Sequence, residues 1–369
     1  MIMAVLVNSP RRFEHRVRIV VPAPIRRRCD TPVASTAAAR CDKQGRLRGR
    51  TQMSRLILRR GLAATLSLML LHGVAVAEDA LKIAVGQRGG WEQCVSELGQ
   101  NAGIFKKHGL TLDVLYTQGS GETIQIVLSG SVDIGIGPGT HAVFGAFAKG
   151  APIRMIGASF TGARDQLYYV RADSAIRGMK DAEGKTIGIS TSGSSSHMLA
   201  LALGKHFGVS LVPQATGNYS STLTQVMTKQ VDIGFAQAPF ALDAVEDGRI
   251  RLVAKGADIP EVQNQTIRAW IAHANTFERR RDALARYVKA YRETLDWLYA
   301  SPDAVKAYAA WSGLGERLAR QAPDFITKDS IDPVRIIGLE DMMGDAVKFK
   351  YIPAPLTGEQ LATLVQVPK

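Results

Sequence analysis

Eight consecutive residues, Ser190-Thr191-Ser192-Gly193-Ser194-Ser195-Ser196-His197, crowd hydroxyls onto a loop that runs straight into the apolar-periodic segment Met198–Phe207. Hydroxyl donors beside the unpaired amides of a helix start form a receptacle for an oxyanion, since the helix dipole favours negative charge there by roughly 0.3–1 kcal/mol at an exposed site. The same run also suits a solvated N-cap. A second loop, Gly137-Pro138-Gly139-Thr140-His141, offers Thr140 either as a further donor or as the cap of the helix it precedes. Arg88, within Gly86-Gln87-Arg88-Gly89-Gly90-Trp91, could clamp an anion bidentately or stay in solvent. Trp91, Tyr219 and Phe240 could stack on the organic part of a ligand or fill a core.

His141 and His197 raise the question of a metal, but no third His or nearby Asp/Glu completes a set, and zinc usually takes three protein ligands. No metal and no cofactor are expected. Catalysis is equally unmotivated: there is no G-x-S-x-G elbow, no Walker loop and no G-x-G-x-x-G after a strand. The chain reads as a binder, not an enzyme.

These loops must be held by something, and the text of the chain says what. Thr123–Ile136 (TIQIVLSGSVDIGI) and Thr222–Phe235 (TLTQVMTKQVDIGF) lie 99 residues apart with six of fourteen positions identical and four more exchanged like for like. Ile104–Leu112 overlies Leu203–Leu211 at the same offset. A duplicated α/β unit is the simplest account. In the first copy, strands are expected at Leu81–Val85, Leu110–Tyr116, Val132–Ile136 and Pro152–Ala158, with helices running to Lys107 and over Thr123–Leu128 and His141–Lys149. The second copy repeats the order: strands Thr186–Ser190, Leu211–Ala215, Val231–Phe235 and Ile250–Ala254, helices Met198–Phe207, Thr222–Met227 and Phe240–Val245. Alternating strands and helices imply mainly parallel sheets, whose ligands bind at the strands' carboxyl ends. Six loops gather there: Gln87–Trp91, Gly119–Glu122, Gly137–His141, Ser190–His197, Gly217–Ser221 and Gln237–Phe240.

Two β-prone crossings, Gln166–Arg171 and Thr266–Ala272, make the second lobe an insertion in the first, with paired strands as the hinge. The remainder is helical. Asn275 with Glu278 reads as a capping box, Phe277, Leu284, Val288, Tyr291, Leu295 and Leu298 as one packing stripe, and Ser301-Pro302, Asp332-Pro333 and Thr357 with Gln360 as further helix starts.

A formal charge of +13 would suit a nucleic-acid partner if it lay on the folded part. It does not. Residues 1–52 hold twelve Lys/Arg against Glu14, Asp30 and Asp42, Arg55, Arg59 and Arg60 add three, and after Ala77 the balance is 31 basic to 30 acidic. No nucleic acid is expected. Residues 53–77 read as an export signal, with a charged start, an apolar run Leu62–Val76 and an Ala75-Val76-Ala77 cleavage site. Residues 1–52 show no period and read as a non-native upstream extension or a disordered arm. Cys29 and Cys41 fall there, leaving Cys94 as a buried bystander in an exported monomer without a disulfide.

Together with the export signal, ELGQNAGIFKKHGL at Glu97–Leu110, SGSVDIGIG at Ser129–Gly137 and KTIGISTSGSSSHM at Lys185–Met198 resemble the sulfonate/nitrate/taurine-type substrate-binding proteins of ABC importers. That resemblance implies a two-lobed periplasmic-binding-protein (type II) α/β fold, with lobe I from 78–166 and 265–369 and lobe II from 167–264. It implies a periplasmic receptor that captures a small, anionic solute and docks on a membrane permease. It implies contacts from the loops matching Gln87–Trp91, Gly139–His141, Ser192–Ser196 and Gln237–Pro239; with the loop reading above, the expected contacts are Gln87, Arg88, Trp91, Gly119, Thr140, His141, Ser192, Ser194, Ser195, Ser196, Tyr219, Gln237 and Pro239. A neutral heterocycle such as a thiamine-precursor pyrimidine is the second candidate solute. The thiamine-pyrimidine precursor synthases share the fold, but their Cys-rich motif is missing here.

Overall fold

A computed structural model describes residues 78–369. The upstream extension and export signal expected over 1–77 lie outside the described residues. Chain order in the first copy is β1 (Asp79–Gly86), α1 (Val95–Asn101), α2 (Ile104–Lys107), β2 (Leu110–Thr117), α3 (Ser120–Leu128), β3 (Ile134–Gly139), α4 (Thr140–Ala148) and β4 (Ile153–Phe160). The second runs β5 (Gln166–Arg171), β6 (Thr186–Ile189), α5 (Ser195–Phe207), β7 (Val212–Ala215), α6 (Tyr219–Met227), β8 (Gly234–Gln237), α7 (Leu242–Glu246) and β9 (Ile250–Lys255). β10 (Arg268–His273) follows, then α8 (Ala274–Arg279), α9 (Arg281–Ala300), α10 (Pro302–Ser312), α11 (Glu316–Ala319), α12 (Ala322–Phe325), α13 (Leu339–Lys348) and α14 (Gly358–Leu364).

The first sheet has the order β2-β1-β3-β10-β4, parallel except for β10. In the second lobe β6 and β7 pair in parallel and β5 lies antiparallel between β8 and β9. A parallel bridge from Ile187 to Ile233 joins these parts into the order β7-β6-β8-β5-β9. Each sheet thus takes its one antiparallel strand from a crossing. β10 pairs with β4 and β5 with β9, so the crossings run side by side, with Gly162 N donating to Gln265 O at 2.8 Å. That is a two-strand hinge.

The repeat is physical as well as textual. Thr117 and Thr123 share a hydroxyl hydrogen bond of 2.7 Å, and Thr216 and Thr222, at the same offset of 99, share one of 2.6 Å. The Asp of each V-D-I-G accepts from the neighbouring parallel strand, β1 or β6: Asp133 from Lys82 N at 2.9 Å, Asp232 from Thr186 N at 3.0 Å.

Helix starts were the weak point of the sequence reading. α3, α5 and α6 each begin three residues before the expected position, with Gly119, Ser194 and Asn218 as N-caps. Polar loop residues therefore form the first helical turns. The capping box expected at Asn275 is replaced by His273, whose ring accepts from Asn275 N at 3.1 Å. Asp332-Pro333 starts no helix: Asp332 closes a turn onto Val334 N, and α13 begins only after Gly338, whose φ of 68° needs glycine. The stripe from Phe277 through Leu298 is buried throughout, and α9 packs on α1.

Candidate functional site

A narrow cleft of about 30 Å³ lies at the carboxyl ends of the strands, and all six expected loops reach it. Its lining includes Gln87, Gly119, Ser120, Gly137, Ser190, Ser195, Ser196, Tyr219 and Gln237. Residues Ser120, Ser195 and Tyr219 open α3, α5 and α6, so three helix N-termini meet at one place, with the first-turn amides that no intrahelical carbonyl can satisfy. The lobes approach closely because side chains are missing where they touch. A Cβ on Gly139 would stand 2.7 Å from Ser195 N, and one on Gly119 3.1 Å from Thr191 Oγ1.

The serine run divides its labour. Ser194 Oγ caps α5, accepting from His197 N at 3.2 Å, and Ser196 Oγ accepts from Ser190 N at 2.9 Å while lying 2.8 Å from Ser194 Oγ. These hydroxyls hold the loop, and Ser192 is exposed outside the lining. Ser190, Ser195 and Ser196 line the cleft, and of these Ser195 has no hydroxyl partner in the loop.

Behind the lining sits a charged network that the sequence reading missed. Arg268, at the start of β10, places Nη2 2.5 Å from Asp165 Oδ2 and 3.1 Å from Glu92 Oε2, with Nε 2.9 Å from Glu92 Oε1. All three are buried, Arg268 on the lining and the carboxylates beneath it. Gln237 Nε2 donates to Asp165 Oδ2 at 2.6 Å, and Gln237 Oε1 accepts from Gln93 Nε2 at 2.8 Å and from the Tyr219 hydroxyl. Burial pushes the Glu92 carboxyl up to about 7, with Arg268 pulling down and Asp165 pushing up. Burial works against the Arg268 charge too, but Asp165 and Glu92 outweigh it and hold the guanidinium ionised. TIRAWIA read simply as a strand, and Glu92, Gln93 and Asp165 sit in unremarkable text, so only tertiary proximity reveals them.

The remaining expected contacts lie elsewhere. Arg88 stacks its guanidinium 4.6 Å above Trp311 and donates to the Trp311 carbonyl, with about half of its side chain in solvent. Trp91 is fully buried between Tyr299 and Tyr308. Thr140 Oγ1 donates to Thr266 O at 2.5 Å, and Pro239 is buried after a cis peptide bond. His141 and His197 flank the Tyr351 ring at 5.5 and 6.1 Å, and burial lowers the His141 imidazole to about 4. Among the described residues no group of three or more His, Cys, Asp or Glu is placed to hold a metal ion. Cys94 is buried, its thiol donates to Trp91 O at 3.0 Å, and burial pushes it well above its usual range, which is the setting of an inert thiol.

A family model described as NMT1/THI5 like matches residues 98–305. A putative binding protein of Brucella abortus (strain 2308) is 27% identical over 249 residues, covering 66% of this chain and 74% of its own. Among solved structures, the alkanesulfonate-binding protein SsuA from Xanthomonas axonopodis pv. citri, bound to MOPS, is similar with a TM-score of 0.65 at 17% identity, covering 78% of this chain and 98% of that one. The desulfurization enzyme DSZB shares the fold as well, with a TM-score of 0.54 at 18% identity over 78% of this chain and 96% of that one.

Proposed function

This chain belongs to the NMT1/THI5-like family, and on that footing we propose that it is the solute-binding component of an ABC importer, closing two lobes on a small organic anion. The observation that carries the reading is the meeting of three helix N-termini in a cleft between hinged lobes. Converging amide donors are what a sulfonate or carboxylate needs, and they act strongly where the lobes exclude water. SsuA, of the same fold, binds an alkanesulfonate. Tyr219, with Phe235 and Phe240 packed against it at 5.6 Å, offers apolar surface to the solute's body.

The lobe limits 78–166 with 265–369, and 167–264, belong to this reading and are supported by the strand orders. So do export to the periplasm, docking on a membrane permease, a monomeric state and the absence of catalysis. An enzyme can also be built on this fold, as DSZB is.

A thermal-shift panel of sulfonates, carboxylates, nitrate and pyrimidines tests it, because a ligand of the folded state alone raises the melting temperature with its concentration. Stabilisation by sulfonates or carboxylates and not by their uncharged isosteres is the expected result. Stabilisation by uncharged pyrimidines alone would reject the anion.

A further inference from the structure

Three glutamines line the cleft with their carboxamide oxygens buried and unpartnered: Gln87 at 6% exposure, Gln93 at 4% and Gln166 at 2%. Their orientation is fixed from behind. Gln93 Nε2 donates to Glu92 Oε1 at 3.0 Å and to Gln237 Oε1 at 2.8 Å, and Gln237 cannot turn over because its own Nε2 serves Asp165. Gln166 Nε2 faces Asp165 Oδ2 at 3.4 Å, and Gln87 Nε2 faces the carbonyls of Gln118 and Gly217 at 3.5 and 3.4 Å. Rotating any of these amides would set oxygen against oxygen, so each keeps a C=O without a protein donor, that of Gln93 lying beside Gly90. The other unpartnered polar atom of the lining, Arg268 Nε, already faces Glu92.

We propose that Gln87, Gln93 and Gln166 are specificity-determining residues that receive a nitrogen group of the solute carrying two or more N–H donors. The inference rests on the solute-binding reading above and deepens it: one end of the solute would meet the helix starts, another this trio of acceptors. Two carboxylates against one guanidinium beneath the lining give that region a formal charge that tolerates an amino group, protonated or not. A plain alkanesulfonate or nitrate would leave all three oxygens buried and unmatched, and buried unmatched acceptors are what polar sites use to reject analogues.

Calorimetric titration of the full chain with ethanesulfonate, 2-aminoethanesulfonate and its N,N,N-trimethyl derivative, alongside matched carboxylates and aminopyrimidines, tests this. The N–H forms should bind at least roughly fivefold tighter than their deaminated and trimethylated partners. In Gln87→Met, whose unliganded melting temperature reports intact folding, that preference should shrink from both sides, the N–H form losing affinity and the deaminated compound, freed of an unmatched acceptor, gaining it, with Gln166→Met as a second reading. Equal binding of aminated and plain sulfonates would overturn the inference and leave the anion intact. Binding of aminopyrimidines alone, weakened by the same substitutions, would uphold the acceptor trio and remove the anion. Absence of binding by every N–H-bearing member, or a preference unchanged in both variants, would overturn the inference.

Discussion

Asp165 Oδ2 lies 2.5 Å from the Arg268 guanidinium, and this contact ties the two crossings together beneath the cleft. Asp165 stands just before β5 and Arg268 opens β10, so the pair bridges the segments that must flex. Removing one partner of a buried ion pair strands the other, at a cost of roughly 3–5 kcal/mol. In Asp165→Asn the guanidinium keeps Glu92 as its partner, so urea unfolding should show a loss smaller than that, and only Asp165→Asn combined with Glu92→Gln should reach it.

Two buried titrating groups oppose each other in acid. Glu92 gives up its proton near 4.5 when unfolded and near 7 when folded, so stability falls as pH rises between those values. His141 takes up a proton near 6.5 when unfolded and only near 4 when folded, so stability rises across that window. Each limb amounts to about 3 kcal/mol, and over pH 4.5–6.5 they offset. Urea midpoints of the wild type should be nearly flat there. Glu92→Gln should expose the rising limb and His141→Gln the falling one; parallel profiles in all three proteins would contradict the assignment.

Closure depends on Gly139. Its φ of −60° suits any residue, so alanine costs the backbone nothing, yet the added Cβ would meet Ser195 N at 2.7 Å, an atom that only lobe movement can displace. Gly139→Ala should weaken solute binding tenfold or more, roughly 1.4 kcal/mol. The scattering radius of gyration with saturating solute should stay above that of the wild type.

The paired threonines offer a test of the duplication. Thr123→Val and Thr222→Val each remove one hydroxyl of a buried pair, and each should cost about 1 kcal/mol in chemical denaturation. Strongly unequal losses would mean that the two bonds are not equivalent.

How much of this was legible in the text depended on range. The repeat, the strands and the stripe of α9 are written in local periodicity, and they were readable. The positions of Ser120, Ser195 and Tyr219 are nearly so: the sequence marks the polar stretches, but hydroxyl residues compete for caps and for loops alike, so the first turn of each helix reads as loop. The floor was not readable. Glu92-Gln93, Asp165-Gln166 and Arg268 come from three distant stretches with no common spacing, and an Arg inside a β-prone run signals nothing until its neighbours are known. Arg88 carried the more obvious signal and turned out to lie on Trp311.

The exchange of strands has a last consequence, for the order of assembly. β10 occupies the gap between β3 and β4, yet it emerges from translation only after all of β5 to β9. Until it arrives, β3 and β4 present open flanks that can recruit foreign backbone. Lobe I, begun first, is finished last, and a fragment ending before Arg268 would be born with a sticky seam.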